Sequence, residues 1–218
     1  MSHEPSVDDR LAARHMLAAA DGVGTRCVDL AGAGIGIALL SPLLLGLALL
    51  VRVTSPGPAI FRSTRVGRGA RPFTLYKFRS MIANADLQGP AITAANDTRI
   101  TGLGRLLRRS KLDELPQLLN VLKGDMSLVG PRPEAPGYVA LYNRDQLKIL
   151  EARPGMTSPA SLQFRDEETQ LTGEAWDDYY VHTVMPAKLA IDLDYLRQRT
   201  VRSDLRLVIQ TVKSLVTR

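Results

Sequence analysis

Asp113 and Glu114 stand side by side in a stretch otherwise rich in cations, with Arg99, Arg105, Arg108, Arg109 and Lys111 close before them. A carboxylate kept ionised by a helix N-terminus and nearby arginines can attack phosphorus and form an aspartyl-phosphate. An adjacent glutamate offers the hard oxygen ligand that Mg²⁺ takes alongside substrate phosphates. A plainer use of the same residues is capping. Aspartate at a helix start accepts a backbone N–H and complements the macrodipole, and Ser110 and Asp113 are spaced as in a capping box. The residues alone leave both uses open.

The neighbouring sequence dictates how such a pair is held. Pro116 is tolerated only in the first turn of a helix, so Asp113 and Glu114 lie at or just before the N-terminus of a short helix that Gly124 closes. A preceding helix is expected over Ile100 to Arg109, where Leu103, Leu106 and Leu107 recur at helical spacing. Gly130-Pro131-Arg132-Pro133 suits neither helix nor central strand and must carry Arg132 on a rigid loop. Upstream, Ala59 to Val66 and Pro72 to Met81 read as a β-hairpin turning at Gly67 and Gly69. On its second strand Phe73, Leu75, Lys77 and Arg79 share a face, so the two cations form either a solvated strand face or a phosphate-binding pair.

The chain has 218 residues with 28 Lys and Arg against 22 Asp and Glu, a formal charge of +6, and a pI near 9.7. That balance points to polyanions: nucleic acid, anionic lipid or phosphorylated small molecules. At 45% apolar and 23% charged it is a folded chain and no basic tail. The single Cys27 excludes an intrachain disulfide framework, and three scattered histidines, His3, His15 and His182, build no metal centre.

Leu30 to Val51 contains no charge, a length that could just cross a hydrocarbon core of ~30 Å. Ser41-Pro42 interrupts its middle, where proline removes a hydrogen bond and kinks a helix. Arg10, Arg14 and Arg26 precede the run, and Arg52, Arg62, Arg65, Arg68, Arg71, Lys77 and Arg79 follow it. Two positive flanks favour both ends emerging on the cytoplasmic side, a helix that dips and returns; a single-pass anchor is the simpler alternative. The expected organisation is a polar extension over 1–24, a re-entrant membrane helix over 25–53 and a cytoplasmic, membrane-associated catalytic domain over 54–218. At its C-terminus Leu205, Val208, Ile209, Val212, Leu215 and Val216 form an apolar helical stripe amid Arg202, Arg206, Lys213 and Arg218, suited to core packing or to an in-plane interfacial helix.

Three strings, Tyr76-Lys77-Phe78-Arg79-Ser80-Met81, the block from Leu112-Asp113-Glu114-Leu115-Pro116 through Gly130-Pro131-Arg132-Pro133-Glu134, and Arg153-Pro154-Gly155-Met156-Thr157, closely resemble the bacterial sugar transferases, the small monotopic phosphoglycosyl transferases. The resemblance runs from about Thr25 to the C-terminus. It implies a mostly helical α/β domain with a small β-hairpin, embedded on the cytoplasmic face of the inner membrane by a proline-broken re-entrant helix. It also implies transfer of a phosphosugar from a nucleotide diphosphate sugar, usually a UDP-sugar, to polyprenyl (undecaprenyl) phosphate, with release of UMP. Such a step opens cell-surface polysaccharide synthesis and hands its product to downstream glycosyltransferases. By position Asp113 resembles the nucleophile, Glu114 the Mg²⁺ ligand, and Ser41-Pro42 the helix break. Lys77, Arg79, Arg109, Arg132 and Arg153 become candidates for the phosphates.

One segment departs from the family pattern. Ser158-Pro159-Ala160-Ser161-Leu162-Gln163-Phe164-Arg165-Asp166-Glu167-Glu168 stands where many members carry Gly-Trp-Ala-Gln and a downstream Gly-Arg, so no sugar or base ligand is transferred from it. Asp166, Glu167 and Glu168 could cap a following helix or bind sugar hydroxyls. Two rivals from other classes are a membrane-tethered nucleic-acid-binding protein and a non-catalytic scaffold. The first lacks any helix-turn-helix, RRM or zinc-finger signature, and only 5% of residues are aromatic. The intact acidic pair argues against the second.

Overall fold

A computed structural model describes residues 22–217 apart from 86–87, 90–91, 95–96 and 174. The polar extension expected over 1–24 therefore lies almost wholly outside the described residues. The uncharged run forms the centre of one helix, α1 (Val23–Thr54), the one described helix long and apolar enough to cross a membrane. Pro42 does not end it. The carbonyl that proline leaves without its usual donor is that of Ala38, and the Ser41 hydroxyl donates to it at 2.9 Å.

The hairpin forms as expected from β1 (Ile60–Val66) and β2 (Pro72–Phe78), antiparallel with Phe61 opposite Lys77 and Ser63 opposite Leu75. Helix α2 (Gly102–Ser110) starts at Thr101, whose side chain accepts from the Gly104 N–H. Lys111, at φ 58°, reverses the chain into a 3₁₀ turn over Leu112–Gln117, and α3 (Leu118–Lys123) follows, ended by Gly124 at φ 90°. Proline inside the turn and glycine after the helix thus act where their backbone preferences predict.

β3 (Ser127–Val129) and β4 (Gly155–Thr157) add a parallel pair that sequence analysis did not anticipate. It needs two glycines: a Cβ on Gly155 would lie 2.1 Å from the Gly130 nitrogen, so the loop carrying Arg132 is pressed against the Arg153-Pro154-Gly155 segment by bare backbone contact. Between these strands lies α4 (Pro136–Val139), and after them α5 (Pro159–Gln163), α6 (Glu167–Gln170), α7 (Trp176–Tyr179), a π turn at Tyr180–Val184, α8 (Met185–Arg197) and α9 (Val201–Val216). The result is mostly helical with two small sheets.

Three apolar clusters hold these elements. Tyr138, Leu171, Tyr180 and Leu196 belong to the first. The second sets Ala33 of α1 among Leu75, Leu118, Val121 and Met126, and the third packs Leu47 and Val51 of α1 against Phe78 and Leu107. Both halves of α1 therefore rest on one domain. Polar contacts fasten each end. Arg26 donates to the Val121 and Leu122 carbonyls, and the buried Asp29 accepts from Ser127 Oγ and the Leu128 N–H, each at 2.8 Å.

Core packing of the C-terminal stripe is not what the structure shows. Helix α9 turns Asp204, Leu207 and Thr211 inward, with Asp204 accepting from Tyr195 and Arg199 and Thr211 meeting Thr157 at 2.7 Å. Leu205, Ile209, Val212 and Leu215 are left between 41% and 54% exposed.

Asn120, fully buried, completes the open edge of β2: its Oδ1 accepts from the Tyr76 N–H at 3.1 Å and its Nδ2 donates to the Thr74 carbonyl at 2.7 Å. Asn120→Ala strands both backbone groups at about 1–3 kcal/mol each. Its melting temperature in detergent should drop by roughly 5 °C or more, and an unchanged melting curve would refute the edge-pairing role.

Candidate active site

The 3₁₀ turn delivers Asp113 and Glu114 to the wall of a cleft of about 840 Å³, bounded by the hairpin, the α2–α3 turn, the Arg132 loop and the segment around Glu167. The two carboxylates are treated differently. Lys77 donates to Glu114 Oε1 at 3.1 Å, and Arg132 grips both Glu114 oxygens, at 2.5 Å to Oε1 and 3.2 Å to Oε2. Burial pushes the Glu114 carboxyl up, but Arg132 and Lys77 overcome this and hold it well below the usual carboxylate range. Lys77 is itself pushed down to about 8 by burial, against the pull of Glu114.

Asp113 caps nothing: its side chain makes no hydrogen bond among the described residues, and its Oδ1 is buried without a partner. Ser110 turns back to the Leu106 and Leu107 carbonyls, so the capping box is not formed. Burial, and after it the charge of Glu114, raise the Asp113 carboxyl to about 6 in spite of Lys77, Arg108 and Lys111. An unsatisfied buried oxygen is costly, and a group held this way is available to a reaction partner.

Four expected site residues thus converge: Asp113, Glu114, Lys77 and Arg132. Arg79 borders the cleft, but its guanidinium is spent on the end of α1, donating to the Ser55 carbonyl at 2.6 Å, Ser55 Oγ at 2.8 Å and the Pro58 carbonyl at 2.5 Å. Arg109 is exposed on α2 and Arg153 lies two residues before β4, neither lining the cleft. Arg108 takes the place expected of Arg109 and pairs with Glu168 at 2.8 Å.

Sequence reasoning passed over several cleft residues. Glu134 accepts from the Tyr180 hydroxyl at 2.6 Å and lies 3.9 Å from Arg65; its place beside Arg132 on the same stiff loop was a usable signal. Arg165 reaches the cleft from the departing segment and donates to the Ser214 carbonyl of α9. Asp166 makes no side-chain cap, and Glu167 pairs with Lys188 at 2.7 Å. No signal in one sequence pairs these distant residues.

Among the described residues no cluster of three or more His, Cys, Asp or Glu could hold a metal ion. The buried pair Asp113 and Glu114, with one oxygen lacking a partner, suits an ion that takes one or two carboxylates and completes its shell from substrate phosphates, as Mg²⁺ does.

Such a cleft, a carboxylate pair among phosphate-seeking cations beside an apolar helix, is that of a transferase of phosphorus-containing groups. The family model for bacterial sugar transferases matches residues 20–218, and the chain belongs to that family. Over 197 residues it is 41% identical to a UDP-glucose:undecaprenyl-phosphate glucose-1-phosphate transferase of Caulobacter vibrioides, covering 88% of this chain and 69% of the relative. It is 39% identical to the exopolysaccharide production protein PSS of Rhizobium leguminosarum bv. phaseoli, covering 88% and 95%. It is 36% identical to a UDP-N-acetylgalactosamine-undecaprenyl-phosphate N-acetylgalactosaminephosphotransferase of Aeromonas hydrophila, covering 88% of this chain but 43% of that longer protein.

A carboxyl raised from 3.8 to about 6 on folding destabilises the native state where it is ionised. That penalty is complete above about pH 6 and disappears as the pH falls towards 3.8. Asp113→Asn should therefore melt several degrees higher than the parent at pH 8, with the gain shrinking steadily between pH 6 and pH 4. A gain independent of pH would contradict the burial of a charge at this position.

Proposed function

We propose that the protein transfers a phosphosugar from a UDP-sugar to polyprenyl phosphate at the cytoplasmic face of the inner membrane, through an aspartyl-phosphosugar. The observation that carries this reading is the unpartnered, buried Asp113 oxygen in a cation-lined cleft. The names of the relatives, which join UDP-sugars to undecaprenyl phosphate, supply the substrate class.

Asp113 attacks the sugar-bearing β-phosphorus, the bond to the bridging oxygen breaks, and UMP departs with the bonding electrons. An oxygen of the lipid phosphate then attacks the same phosphorus and Asp113 is released as a carboxylate. Glu114 holds Lys77 and Arg132 at the site, and Arg132 and Lys111 counter charge on the phosphates. Glu114, with Asp113, would hold Mg²⁺, which supplies Lewis-acid stabilisation to phosphoryl oxygens when bound. A nucleic-acid-binding role is not favoured, because the cleft cations are largely paired inside the molecule. The retained reactive aspartate speaks equally against an inert scaffold.

Given donor without acceptor, the protein should gain one phosphosugar in mass and release one UMP per site, and Asp113→Asn should do neither. UMP release by that variant at the parent's rate would eliminate the nucleophile assignment. EDTA should suppress the parent reaction and Mg²⁺ restore it.

The re-entrant course of α1 belongs to the same reading. Contacts at both ends with one domain support it, as do the basic flanks. Single cysteines near residues 5 and 70, in a Cys27→Ser background, should both resist an impermeant maleimide in intact spheroplasts and react once the membrane is opened. Labelling of one site in intact cells would mean that α1 spans the bilayer.

A further inference from the structure

The cleft extends from the acidic pair to the C-terminal end of α1, where Arg52, Ala59, Phe61 and Arg62 line it. Arg52 is the first charge after the apolar run, so it marks the depth at which the helix leaves hydrocarbon for the headgroup layer. Most cations along the cleft already have partners: Arg65 faces Glu134, Lys77 and Arg132 hold Glu114, Arg79 binds carbonyls and Arg108 pairs with Glu168. Arg52 and Arg62 differ. Among the described residues neither side chain makes a hydrogen bond or an ion pair, and both are exposed.

The surface around them is apolar as well as cationic. Val53 is 68% exposed, Ile82 42% and Phe61 38%, and Phe61 stands opposite Lys77 across the hairpin, on the strand face that leads to Glu114. Unpaired guanidinium groups beside bare apolar side chains complement a ligand whose phosphate lies at the membrane surface while its hydrocarbon stays in lipid. A nucleotide sugar has no such tail and has no reason to enter by this lip.

We propose that Arg52, together with Arg62, forms the receiving subsite for the phosphate of the lipid-borne acceptor, at the membrane end of the cleft, and that the donor nucleotide occupies the part of the cleft remote from α1. The proposal rests on the reading of prenyl phosphate as acceptor. It assigns the two anionic substrates to different cations, so the second can wait at the lip while the first reacts at Asp113.

Binding of a radiolabelled short-chain prenyl phosphate to the full-length protein in detergent, without donor, tests the subsite independently of turnover. R52Q and R62Q should each weaken binding about ten-fold, as expected for one lost charge-assisted contact, and R52K should retain most of it. In turnover assays the same substitutions should raise the acceptor KM and spare the UDP-sugar KM. Unaltered prenyl phosphate binding in both variants, or equal rises in both KM values, overturns the proposal. So does a defect confined to vesicles of anionic phospholipid, which would assign Arg52 to bulk headgroups. A parent protein that binds UDP-sugar but no prenyl phosphate would instead remove the acceptor reading and the subsite with it.

Discussion

An ionised carboxylate cannot be withdrawn from water alone, and the part-buried Glu114 lies between Lys77 and Arg132. This clamp joins three parts of the chain: the second hairpin strand, the 3₁₀ turn and the Gly130–Pro133 loop. Each cation ties a different segment to the same carboxylate, so the turn and loop are held at fixed distance from the strand. Asp113, next in sequence and excluded from the clamp, inherits a fixed position without a partner of its own. The neighbours of Glu114 thus supply rigidity, and Asp113 keeps an oxygen without a partner. Stability given up at the aspartate is the usual cost of an oxygen kept free for chemistry.

The long apolar helix α1 is governed by similar logic at its ends. Apolar contacts alone would let it slide, because lipid and the Leu-rich helix surface are equivalent environments. Directional contacts remove that freedom: Asp29 accepts from Ser127 and Leu128 near one end, and Arg79 holds Ser55 and Pro58 at the other. Arg79 lies two residues beyond Lys77, just past the end of β2, so the last turn of the helix and the Glu114 clamp are held by one short stretch of chain. The departing segment is built into this frame through Arg165, which contacts the C-terminal helix.

Local structure is legible in the sequence where backbone chemistry decides the outcome. The hairpin, the turn forced by Pro116, the stop at Gly124 and the stiff loop around Arg132 all follow from φ preferences and alternation. Side-chain destinations were less legible. Lys77 and Arg79 alternate onto one strand face, yet the strand ends at Phe78 and Arg79 swings to the helix carbonyls. Arg108 and Arg109 are adjacent, and only the orientation of α2 selects the first. The capping reading of Asp113 failed because the turn is 3₁₀ and its start is set by Lys111 in the left-handed region. The stripe of the C-terminal helix was visible, but which side faced the protein depended on Asp204 finding Arg199 and Tyr195.

The two ends of the membrane helix also differ in when they can be secured during synthesis. Arg79 follows Val51 by 28 residues, whereas Leu128 follows Asp29 by 99. At about 5–20 residues per second, Asp29 waits roughly 5–20 s for its partner, several times longer than the other end does. Throughout that interval its carboxyl lacks the Ser127 and Leu128 donors that hold it in the folded protein. The N-terminal end of the long helix is thus the later of the two to gain its polar anchor.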